Sequence, residues 1–115
     1  MTLDALTPEE REVVRRALEA TFAHLLEPYG EMEYHLRLGV RPAEVRELLG
    51  TFPEIDESPS STARLAIHNA FNDLLRGVGL DEATCRTALG VSLTEAMRIE
   101  RKWSLSHDGP WGGLR

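Results

Sequence analysis

Between residues 63 and 78 the chain carries Ala63, Ile67, Ala70, Phe71, Leu74 and Val78. Their spacing of three and four puts all six on one face of an α-helix. A stripe this clean must be covered by other elements. A helix over about 60–76 is therefore expected at the centre of a packed core.

Start and stop signals place its neighbours. Thr7-Pro8-Glu9-Glu10 is a capping box with proline in the first helical turn. It opens a helix over about 8–27 with Val14, Leu18, Phe22 and Leu25 on one face, and Pro28 is expected to end it. In Glu31–Leu38 the apolar residues Met32, Tyr34, Leu36 and Leu38 alternate, which fits either a short helix or a strand. No partner strand is visible, so helix is the reading taken. Gly39 punctuates and Pro42 opens a helix to about Leu49. Residues 50–61 form the one long polar connection and end in serines suited to capping the central helix. Asp81 caps a short helix to Leu89, and Ser92-Leu93-Thr94-Glu95 reads as a second capping box opening a last helix to about Trp103.

The sum is an all-α, compact single-domain bundle of about five helices over residues 1–107. An irregular, glycine-rich tail follows over 108–115. The sequence Leu38-Gly39-Val40 returns as Leu89-Gly90-Val91, each followed four residues after the Val by Glu. Convergence of two helical corners on one turn chemistry accounts for the echo.

Composition narrows the function. With 42% hydrophobic residues and 28% charged ones the 115-residue chain is globular, and its net charge of −6 excludes a uniformly basic nucleic-acid coat. One cysteine excludes an internal disulfide framework, no apolar run is long enough to cross a bilayer, and the acidic start is unlike a signal peptide. A cytoplasmic protein without membrane contact is expected. The charge is uneven: residues 1–57 hold thirteen acids and six bases, whereas 58–115 hold six acids and seven bases.

Residues 82–103, EATCRTALGVSLTEAMRIERKW, resemble the helix-turn-helix of phage-repressor-type DNA-binding proteins. That resemblance implies a second helix lying in the major groove, with Ser92, Thr94, Arg98, Arg101 and Lys102 as DNA contacts. Arg86 stands where the family places a small residue, and the acidic Glu95 would face phosphates. A wider pattern runs from Tyr34-His35-Leu36-Arg37-Leu38-Gly39-Val40 to Leu65-Ala66-Ile67-His68-Asn69-Ala70-Phe71-Asn72. It is similar to uncharacterised small bacterial helical proteins, and implies a shared fold without an activity.

On the central helix His68, Asn69, Asn72 and Arg76 form a candidate polar pocket. Asparagine favours helices poorly, so a tertiary hydrogen-bonding task is expected ahead of a ligand site. His24, His35, His68 and His107 lack metal-ligand spacing, and Glu31 with His35 is expected to be an exposed ion pair. Cys85 suits a small buried side chain. No catalytic motif occurs, so no enzymatic activity, cofactor or metal is expected. Trp111 in the tail either docks on the domain or anchors another chain. The sequence thus points to a non-enzymatic interaction or regulatory protein whose partner is another protein or a second copy. DNA binding is the alternative.

Overall fold

The computed structural model describes residues 3–106. The expected tail at 108–115, its boundary and Trp111 lie outside them. Six α-helices run in the order α1 Pro8–Thr21, α2 Glu27–Leu38, α3 Pro42–Thr51, α4 Thr62–Asn72, α5 Glu82–Leu89 and α6 Leu93–Leu105. A π turn, Phe22–Leu26, joins α1 to α2 without a break, so the described chain forms five helical rods and no strand. The segment 31–38 is thereby a helix.

The first helical run does not stop before Pro28, as expected, but continues through it. Proline lacks an N–H and its ring crowds the carbonyl four residues back. Here the chain widens by one residue just ahead of it, with the Glu27 amide donating to the Phe22 carbonyl. The bend falls instead at Gly30, whose φ of 89° and ψ of 172° leave helical space.

The central helix begins two residues later than expected, because Ser61 is the cap: its hydroxyl accepts from the Arg64 amide at 3.1 Å. Ala63, Ile67, Ala70, Phe71 and Leu74 are all buried, as the stripe requires, and Val78 at its end is partly buried. Helix α4 touches α1, α2, α3 and α6, and α1 crosses it while also meeting α3, α5 and α6. Full burial of side chains such as Phe71, Leu18 and Ile67 contributes about 1.5–3 kcal/mol each. Cys85 lies in the same core, and burial pushes its thiol pKa up.

The two echoed corners share one geometry. Gly39 and Gly90 both adopt left-handed backbone, φ 75° and 81°, and donate to the His35 and Arg86 carbonyls. The two expected capping boxes, at Thr7 and Ser92, differ in how far they close. The Thr7–Glu10 box closes in both directions, at 3.1 and 2.8 Å. At Ser92 only the hydroxyl half forms, accepting from the Glu95 amide at 3.1 Å. Glu95 turns to Arg98 instead, so the expected second box is half a box.

Candidate functional site

Helix α2 shows most plainly what an alternating apolar run does when it coils. Residues four apart share a helical face and residues two apart lie on nearly opposite ones. Tyr34 and Leu38 therefore enter the core, fully buried, while Met32 and Leu36 face out with 80% and 75% of their surface exposed. The inner face is fixed by a hydrogen bond between the Tyr34 and Thr21 hydroxyls at 2.7 Å and by stacking of Tyr34 on Phe22. Desolvation raises the Tyr34 phenol pKa.

In addition to this outer stripe, two further apolar side chains near α2 are exposed. Tyr29 is half exposed, and the Arg37 guanidinium sits 4.7 Å from its ring centre. Leu65 of α4, also partly exposed, abuts Gly39 one turn beyond Leu36. A Cβ at Gly39 would lie 2.9 Å from Leu65 Cδ2, so the glycine permits the close approach of α4 to the end of α2. Charges flank the stripe. Arg37 bonds Glu33 at 3.0 Å and Asp73 at 2.9 Å. On the other flank Glu31 and His35 are both exposed, and the expected ion pair between them does not form among the described residues.

The α5–α6 corner holds the basic residues singled out for DNA. Glu10, at the start of α1, accepts from Lys102 Nζ and from Arg98, both at 2.8 Å. Those donors, with the Thr7 amide, pull its carboxyl pKa down to about 2, the Lys102 hydrogen bond contributing most. Arg98 also grips Glu95 through two bonds of 2.9 and 2.6 Å, and the carboxylates raise its own pKa. Ser92 is spent on its cap, whereas Thr94 and Arg101 are exposed. Arg86 points to solvent and pairs with Glu82 at 2.8 Å, leaving Cys85 as the small residue against the core. Behind this corner Glu57 is buried and accepts from Leu3 N at 3.1 Å and Trp103 Nε1 at 3.0 Å.

The polar residues of the central helix diverge. Asn69 donates to the Leu38 carbonyl at 2.8 Å, satisfying the C-terminal end of α2. Arg76 reaches Glu100 on α6 at 3.7 Å, while His68 and Asn72 face outward. Among the described residues no group of three or more His, Cys, Asp or Glu side chains is placed to hold a metal ion. No helix there is long and apolar enough to cross a membrane. Sequence reasoning missed the outer face of α2, although its signal was the same Met32–Leu38 alternation. It also missed the buried carboxylates Glu10 and Glu57, whose partners are remote in the chain.

Comparison with protein-family models, with curated proteins and with solved structures finds no match to this chain.

Proposed function

We propose that this is a non-enzymatic, cytoplasmic interaction protein that docks another polypeptide on the outer face of α2. The observation that carries the reading is the exposure of Met32 and Leu36 one turn apart, on a helix whose opposite side is core. Single exposed leucines are ordinary, but a contiguous apolar stripe rimmed by charge marks contact sites. Cytoplasmic residence rests on the globular composition and the single cysteine. The test is affinity capture after in-cell crosslinking, which holds weak complexes, with wild-type protein and with Leu36→Asp, once circular dichroism shows that both are folded. Proteins retained by the wild type and lost from the variant support the reading. Identical recovery would overturn it.

DNA binding through α6 is the second reading. It is favoured by the Gly90 corner, which opens α6 with Thr94, Arg98 and Arg101 on exposed positions. It ranks second because phosphates would compete with Glu10 and Glu95 for Arg98 and Lys102. Selection of genomic fragments at low salt, repeated with Arg98→Ala/Arg101→Ala, decides it. Enrichment lost in the double variant supports this reading, and no enrichment sinks it.

A further inference from the structure

The outer face of α2 has a charge pattern that selects its occupant. At 100° per residue, Glu31 and His35 lie one turn apart along one edge of the Met32–Leu36 stripe. Glu33 and Arg37 lie one turn apart along the other. On one edge an acid precedes an imidazole able to donate a hydrogen bond, and on the other an acid precedes an arginine.

We propose that this face docks a second copy of the same chain, antiparallel and related by a two-fold axis. Met32 and Leu36 of one copy pack on Leu36 and Met32 of the other. This inference rests on the interaction reading above and names its partner.

The geometry follows from the symmetry. A two-fold axis perpendicular to the plane of two antiparallel helices brings like edges together. Glu31 of each copy then meets His35 of the other, and the same exchange is open to Glu33 and Arg37 along the far edge. A parallel arrangement would set acid beside acid and base beside base. Reversal alone makes each edge its own complement. Glu31 and His35 are exposed and unpaired with each other in the single copy, so the exchange disrupts no existing bridge there. Leu65, against Gly39, and Tyr29, beneath Arg37, are the further exposed apolar side chains around the stripe.

Size and charge set the strength. Stable complexes bury roughly 800 Å² per partner, more than four partly exposed apolar side chains supply. Two copies each carrying −6 also repel, although beyond about 8 Å physiological salt screens the effect. The dimer is therefore weak, with a dissociation constant on the order of 100 µM.

Sedimentation equilibrium on the full chain, over a concentration range spanning that value, reads the association directly. Leu36→Asp and, independently, Met32→Asp should leave a monomer with unchanged far-UV circular dichroism. His35→Glu, which sets Glu31 against a second acid, should weaken association about fivefold or more. Glu31→Lys/His35→Glu should recover it to within about twofold of wild type. Failure of that rescue would overturn the antiparallel arrangement. A photo-crosslinking residue at position 36, used in the source cells, separates the two levels of the claim. Adducts of twice the chain mass support the second copy. Adducts only with other proteins overturn the second copy while the interaction reading stands, and no adducts at all overturn both.

Discussion

The Glu57 carboxylate accepts the Trp103 indole N–H at 3.0 Å while its other oxygen accepts the Leu3 amide at 3.1 Å. One buried acid thus ties the chain's N-terminal turn and the polar 50–61 connection to the last helix. Glu57→Gln turns an amide N–H₂ toward one of those two donors, and leaves a buried donor unsatisfied. A loss of about 1–3 kcal/mol in urea denaturation is expected. Trp103→Phe, which keeps most of the ring volume but removes the donor, should cost a similar amount.

Acid sensitivity should trace to Glu10. Its carboxyl pKa, held near about 2 in the fold against 4.5 ordinarily, makes the ionised form the one that folding favours. That contribution is complete above about pH 5 and is lost as pH falls through the folded value. Because Arg98 and Lys102 are substantially exposed, solvent screening reduces it to about 1–2 kcal/mol. Glu10→Gln should therefore lower stability at pH 7 by about that much and make little difference near pH 2, as followed by chemical denaturation at each pH.

A π turn, Asp73–Gly77, continues the end of α4. A Cβ at Gly77 would land on the Asp73 carboxylate, which bonds Arg37 at 2.9 Å. Gly77→Ala must displace that carboxylate and break the bridge between the α4 end and α2. Thermal or urea unfolding should show a loss of about 1–3 kcal/mol. The loss should shrink by at least about 0.5 kcal/mol in an Arg37→Ala background, since the two changes then remove the same bridge.

Local signals in the sequence were enough for the architecture. Thr7, Asp81 and Ser92 cap where their types and spacing require, and Gly39 and Gly90 end helices in left-handed backbone. The 63–74 stripe is buried throughout. What could not be read was non-local. Pro28 marks a helix end only if the backbone cannot widen, and the π turn at Phe22–Leu26 supplies that widening. Glu10 and Glu57 look like solvated acids until α6 brings Arg98, Lys102 and Trp103 to them from some 46–92 residues away. The polar residues of α4 share a helix but answer to different neighbours, Asn69 to α2 and Arg76 to α6. The alternation of Met32, Tyr34, Leu36 and Leu38 was visible, yet its consequence for a surface depends on which of two faces finds the core.

The outer face of α2 is where we place the meeting of this chain with a second copy of itself. Methyl NMR on dilution from about 1 mM to about 10 µM tests it most directly, since that range brackets the expected dissociation constant. Concentration-dependent shifts are expected at the Met32 and Leu36 methyls, with Leu65 following, while the buried Ile67 and Ile99 methyls stay fixed. Invariant Met32 and Leu36 resonances across that range, or shifts confined to another face, would contradict it.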